Sequence, residues 1–252
     1  MEYHHGEGHP RPPRSWYSPV VDWIARNKII SLFTVTFLVL AIDLLTLPYG
    51  EIEKLRTTNP KVTAFMQEHA ERAKRLGKRF TIKQQWVSLR EVSTDALNAI
   101  VVSEDGSFWS HDGFDWYELK ESLLRNLAEG RPARGASTIT QQLVKNLFLT
   151  SSKNPIRKIR EWVLTWKMEK TLSKARILEL YINVIEWGEA IYGIEAASQF
   201  YFGKSAAELT REEAARLAAV IPSPRRRRPD SGSRYVERRA ELILARMAAR
   251  GM

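Results

Sequence analysis

Hydrophobic and polar positions along this chain recur with a helical period almost throughout. The first 28 residues are polar, with Pro10, Pro12, Pro13 and scattered His4, His5 and His9, which predicts a solvated tail. Fourteen residues from Ile29 to Ile42 then carry no charge, and after Asp43 the apolar run resumes to Leu47. Residues 29–47, at about 1.5 Å each in a helix, reach across a hydrocarbon core of about 30 Å. Asp43 lies near one end of that span, where it costs less than the roughly 2.5–3.5 kcal/mol of a mid-membrane acid. A cleaved signal peptide has a shorter apolar core and a small-residue cleavage site, and no Ala-x-Ala follows here. A buried core helix would not be flanked by a polar tail and a turn at Pro48-Tyr49-Gly50. The span is read as an uncleaved anchor.

After residue 50 the period of apolar positions predicts a mostly α protein. Residues 48–84 form a connector whose main element is an amphipathic helix from Val62 to Arg79, stopped near Gly77. Ala96 to Val102 leads into an acidic segment. Tyr117 to Leu127 carries Leu119, Leu123, Leu124 and Leu127 on one face. Ile156 to Leu172 carries Ile159, Val163, Trp166 and Lys170 on another. Ile177–Val184, Ile191–Phe202 and Arg211–Val220 continue the series, and residues 231–252 form a C-terminal helix. Strand signals are limited to Arg79–Ile82 and Gln85–Val87.

Composition narrows the chemistry. There is no cysteine, which excludes disulfides, thiolate catalysis and Cys-based metal sites. The 39 Lys+Arg against 29 Asp+Glu leave a net charge of +10, so an anionic partner is expected. Arg11, Arg14, Arg26 and Lys28 precede the apolar span and Lys54, Arg56 and Lys61 follow it, too even a balance to orient it.

Three segments carry candidate chemistry. In Glu104-Asp-Gly-Ser-Phe-Trp-Ser-His-Asp-Gly-Phe-Asp115, Glu104 continues the apolar face of Ile100 and Val101. A carboxyl against such a wall suits a general base, and an acid at a helix C-terminus opposes the dipole, so the position is unfavourable without a purpose. His111 reads as a structural hydrogen-bonding residue. In Arg134-Gly-Ala-Ser-Thr-Ile-Thr-Gln-Gln-Leu-Val-Lys-Asn146, Gly135 frees the backbone while hydroxyls and amides supply the neutral donors that a sugar or phosphate needs. Lys145 shares the helix face of Gln141 and Gln142. In Arg157-Lys-Ile-Arg-Glu161 a helix brings Glu161 beside Arg157 and Lys158, which by spacing alone is an ordinary surface ion pair worth about 0.2–0.5 kcal/mol.

Together these segments resemble the peptidoglycan glycosyltransferase family, found in class A penicillin-binding proteins and in monofunctional transglycosylases. The pattern Glu-Asp-x-x-Phe-x-x-His-x-Gly-x-Asp is matched from Glu104 to Asp115, Gly-Ala-Ser-Thr-Ile-Thr-Gln-Gln from Gly135 to Gln142, and Arg-Lys-x-x-Glu from Arg157 to Glu161. Ile177-Leu-Glu-Leu-Tyr-Ile-Asn183 is similar to a fourth motif, with Ile182 where Leu is usual. Tyr192-Gly-Ile-Glu-Ala-Ala197 and Tyr201-Phe-Gly-Lys204 complete the series. The resemblance covers residues 85–230. No Ser-x-x-Lys or Lys-Thr-Gly accompanies it, so the chain is similar to the monofunctional type.

The resemblance implies a lysozyme-like helical domain with a smaller membrane-associated lobe, and polymerisation of lipid II into β-1,4 glycan by inverting displacement of undecaprenyl pyrophosphate. Glu104 matches the family's base, and Glu161 its second glutamate, better placed to orient cations or hold a metal than to act as an acid. Lys145, Arg157 and Lys158 match groups that meet the leaving pyrophosphate, with Mg²⁺ or Mn²⁺ as a candidate aid and no organic cofactor. Thr138, Gln141 and Gln142 would line the donor side, joined by Ser137 and Asn146. Phe108 is a further candidate substrate contact, and Asp105 would orient Glu104 and its loop. Implied partners are lipid II, the growing glycan, membrane lipids and cell-wall synthesis or division proteins. Residues 1–28 would then be cytoplasmic and the catalytic body would lie outside the inner membrane.

The aromatics and leucines from Phe108 to Leu127 fit two readings, a buried core or the lobe that dips into the membrane. Arg225–Arg228 reads as a solvated loop touching anionic lipid, and nothing else supports a nucleic-acid role. Two alternative functions stand beside the transferase. A lytic glycosidase would need a protonated acid where Glu161 has cations for neighbours, and an inactive scaffold would not be expected to keep both glutamates and the basic cluster.

Overall fold

The computed structural model describes residues 18–129, 137–152 and 154–252. The tail before residue 18, with its histidines, and Arg134 and Gly135 lie outside the described residues. The chain divides into two units, Met1–Leu47 and Pro48–Met252. In the first, helix α1 (Ser18–Arg26) precedes α2 (Lys28–Leu45). The helical stretch beginning at Lys28 is long and apolar enough to cross a membrane, with mean hydropathy 2.3, and its most apolar part is not buried in the protein.

The second unit opens on a short helix. Pro48-Tyr49-Gly50 is no simple turn, because α3 (Tyr49–Lys54) starts there. The Pro48 carbonyl accepts from the Glu51 and Ile52 amides, and buried Ile52 anchors the short helix. α4 (Ala64–Arg75) follows, with Thr63 capping it through the Met66 amide. It ends before Gly77, which adopts φ +66°. Next come α5 (Thr94–Glu104), α6 (Trp116–Glu129), α7 (Ile139–Phe148), α8 (Pro155–Thr171) and α9 (Lys174–Val184). α10 (Ile194–Phe202), α11 (Arg211–Val220) and α12 (Arg234–Ala248) complete the body.

The core forms where α7 packs on α8 and α9, and where α5 and α12 pack on α11. Leu143 and Val144 of α7 and Leu178 and Ile182 of α9 are buried. Ala214, Ala215 and Ala218 give α11 a buried face without bulk, which lets α5 and α12 approach closely. The C-terminal helix is therefore part of the core, burying Val236, Ala240, Ile243 and Met247.

The strands fall elsewhere than predicted. β1 is Lys83–Gln84, between the two expected segments, and it pairs in parallel with β3 (Ile191–Tyr192). β3 also pairs antiparallel with β2 (Glu186–Gly188), giving the order β1-β3-β2. Ile191 and Tyr192, predicted as helix, are strand because Gly193 at φ +82° breaks the chain before α10.

One helix face also departs from expectation. On α8 the buried side is Glu161, Leu164, Thr165 and Met168, while Ile159, Trp162 and Trp166 are exposed. On α6 the leucine stripe is exposed as well. Trp116 is 63% and Leu127 74% accessible, with Tyr117, Leu123 and Leu124 also open to solvent. Of the two readings of that stretch, the buried core fails for α6. It holds for Phe108, which is fully buried.

Candidate active site

Glu104 is the last residue of α5, and its side chain is only 8% exposed despite its place at a helix C-terminus. A solvated helix end is thereby excluded. The Gln142 side-chain amide donates to Glu104 Oε2 at 3.0 Å, and the Tyr181 hydroxyl of α9 in turn donates to Gln142 Oε1 at 2.9 Å. This chain fixes which way the Gln142 amide points. Ser103 Oγ lies 3.1 Å from Glu104 Oε1, and the Arg239 guanidinium of α12 approaches the same oxygen at 3.6 Å.

Asp105 serves the loop and α7 rather than Glu104. Its Oδ1 lies 2.9 Å from His111 Nε2 and its Oδ2 accepts the Ile139 amide at 2.9 Å. The Gly113 amide donates to His111 Nδ1 at 3.0 Å, so that nitrogen is the acceptor and Nε2 carries the proton given to Asp105. His111 is structural, as its position in the sequence suggested. Thr138 caps α7, donates its hydroxyl to the Gly113 carbonyl at 2.8 Å, and ties the acidic loop to the helix.

The two adjacent glutamines part company. Gln141 Oε1 accepts the Thr138 amide at 3.0 Å and closes the capping box, so this glutamine is held by its own helix. Gln141 and Ser137 edge a cavity of about 240 Å³ with Lys158, Leu119, Leu123 and Trp162. Gln142, Lys145 and Asn146 instead line a cleft of about 560 Å³, opposite His69 and Arg72 of α4 and Arg225. Asn146 donates to the Gln142 carbonyl at 2.8 Å. Phe108, expected at the substrate, lies in the core against Trp109, with Lys174 Nζ 4.5 Å from its ring centroid.

Glu161 is 3% exposed and carries a cation on each oxygen, Arg157 at 2.8 Å and Lys158 at shorter range. Burial pushes the Lys145 ammonium below its usual range, helped by Arg157 and Lys158, while Glu161 and Glu104 pull it back. Lys145 therefore feels both glutamates, and α7 sets it between the base candidate on α5 and the ion-pair cluster on α8.

Sequence reasoning did not assign Arg239 or Tyr181. Arg239 had a visible signal, a charged residue placed among the apolar positions Val236, Ala240 and Ile243 of one helix face. Tyr181 sat in a quoted motif, but only the packing of α9 on α7 reveals its bond to Gln142.

The donors for a divalent cation at Glu161 do not fit. Both carboxylate oxygens are already held by cations, and a metal would have to displace them against their charge. Among the described residues Asp105, His111 and Asp115 also cluster. That group is a satisfied network, with Asp115 accepting from Ser107 and from the Glu118 amide at 2.8 Å.

The transglycosylase family model matches residues 71–248. A biosynthetic peptidoglycan transglycosylase of Nitrosospira multiformis is 42% identical over 191 residues, 76% of this chain and 83% of that protein. One from Thiobacillus denitrificans is 45% identical over 185 residues, 73% of this chain and 80% of that one. One from Chromobacterium violaceum is 38% identical over 221 residues, covering 88% of this chain and 95% of its own.

Proposed function

The chain belongs to the transglycosylase family, and we propose that Glu104 is the general base with which it extends glycan chains. The protein is a peptidoglycan glycosyltransferase that polymerises glycan strands for the bacterial cell wall, with lipid II and the growing chain as substrates. A sugar hydroxyl is a feeble nucleophile at neutral pH. Glu104 takes the proton of the acceptor's 4-hydroxyl as that oxygen attacks the donor's anomeric carbon, and the α-linked donor becomes a β-1,4 glycan in one displacement. The observation that carries the assignment is a buried carboxylate held by the Gln142 amide beside Lys145.

The leaving group sets the rest of the site. A glycosidase must protonate an alkoxide, whereas pyrophosphate departs as a stable anion and needs positive charge. Lys145, Arg157 and Lys158 supply it. Glu161 positions Arg157 and Lys158, and its two ion pairs are the reason the lytic reading is not favoured.

The α2 span anchors the chain in the cytoplasmic membrane, with the catalytic body on the outer side where lipid-linked precursor is presented. The exposed leucines and aromatics of α6 and α8 form the face that meets lipid.

The test is to incubate detergent-solubilised protein with labelled lipid II and separate the products by size. Glu104→Gln is expected to lose polymerisation by at least about a hundredfold with its fold intact. Near-normal polymer from that variant overturns the assignment of the base. Glu161→Gln is expected to lose activity that excess Mg²⁺ does not restore.

A further inference from the structure

The residues that hold the base come from three helices, and one lies far from any catalytic motif. Arg239 is on α12, 135 positions after Glu104, and its guanidinium reaches Glu104 Oε1 at 3.6 Å and Ser103 Oγ at 3.3 Å. Its side chain is largely buried, so the charge acts where water screens it little. α12 packs on both α5 and α11, and the buried Val236, Ala240 and Ile243 fix the face from which Arg239 projects. The Ser103 hydroxyl, 3.1 Å from the same carboxylate oxygen, touches both charges.

We propose that Arg239 is the positioning residue of the catalytic base, holding the Glu104 carboxylate ionised and in one rotamer with its Oε1 side engaged by Arg239 and Ser103 and its Oε2 by Gln142. The inference rests on Glu104 being the base. A base must be ionised before it can accept a proton, and a buried carboxylate resists ionisation unless charge or hydrogen bonds compensate it. Among the described residues the charged and titratable groups around Glu104 include Asp105, which caps its helix, Lys145 of α7, Tyr181 of α9 and Arg239 of α12. Asp105 is turned to His111 and Ile139, Lys145 is shared with Glu161, and among the described residues Arg239 makes an ion pair with Glu104. The C-terminal helix thereby becomes part of the catalytic apparatus as well as of the core.

The experiment is a pH–rate profile on full-length protein in detergent with labelled lipid II, for wild type, Arg239→Gln, Arg239→Lys and Glu104→Gln. Arg239→Gln is expected to lower kcat at neutral pH by about tenfold with KM within twofold. Its acid limb should move up by about one pH unit, because the carboxylate has lost a cation within about 4 Å. Arg239→Lys restores the charge, and its acid limb is expected to stay close to wild type. A purely structural arginine would change yield and thermal midpoint without moving the acid limb. Should Arg239→Gln fail to fold, Arg239→Met keeps the apolar stem against α5 and is judged by the same two criteria. A folded neutral variant with wild-type kcat and an unmoved acid limb overturns the proposal. Polymerisation by Glu104→Gln overturns instead the assignment of the base on which it rests.

Discussion

At the scale of the residue, spacing and burial give different answers for the same side chains. Arg157, Lys158 and Glu161 read as a surface cluster of small worth, yet the carboxylate is one of the few buried acids in the body. Removing one partner of a buried pair costs about 3–5 kcal/mol, but Lys158 remains 40% exposed and can rehydrate. Glu161→Leu is therefore expected to lower stability by about 1–3 kcal/mol, a range set by that partial rehydration. A thermal unfolding series in detergent would read this, and an unchanged midpoint would return the cluster to its surface reading. The same reasoning explains Phe108. A motif aromatic next to an acid reads as a substrate contact, whereas its packing against Trp109 and beneath Lys174 makes it core.

At the scale of the element, the acidic loop and α7 behave as one piece. Gly113 has φ +87°, and a Cβ there would lie 2.8 Å from both Glu169 Cγ and Thr165 Cγ2 of α8. Its amide and carbonyl are meanwhile bonded to His111 and Thr138. Gly113→Ala combines a left-handed backbone with a clash. It is expected to cost about 2–4 kcal/mol and to lower the thermal midpoint by several degrees. α4 makes a second prediction. Burial holds His69 neutral, with its pKa lowered to about 4 and Arg225 assisting, and its Nδ1 lies 2.7 Å from the Tyr192 hydroxyl. An unfolded histidine binds its proton near 6.5. Between those values the unfolded chain takes up more protons, so stability falls as pH drops from about 6.5 towards 4. His69→Gln is expected to flatten that part of a plot of thermal midpoint against pH. A variant with the wild-type slope would show that His69 titrates normally in the folded protein.

At the scale of the molecule, apolar surface is exposed in both units. α2 is long and apolar enough to cross a membrane, and the body exposes leucines and aromatics on α6 and α8, a patch of the kind that marks an interaction surface. The unit beginning at Pro48 is compact by itself, so it permits a test without the apolar span. Residues 48–252 are expected to sediment with anionic vesicles. Replacing Trp116, Leu123 and Leu127 by serine should release most of the protein. Equal binding by the triple variant would assign adhesion to the basic surface instead.

The helical class, the apolar span and the motif series were legible from residue order, because each depends on local period or on the order of residue types. Glu104 could be singled out from Ile100 and Val101 alone, since helical geometry carries an apolar face forward by three and four residues. What residue order could not show was anything decided across distance. The strands are two or three residues long, and β1 and β3 acquire their pairing from residues 108 positions apart. Whether the stripe on α6 faced core or solvent depended on what packed against it. The separation of Gln141 from Gln142 depended on which side of α7 each partner lay. Arg239 reached Glu104 only because the small alanines of α11 bring α12 close to α5. Local chemistry singled out Glu104 as the candidate base, and tertiary packing set the groups around it.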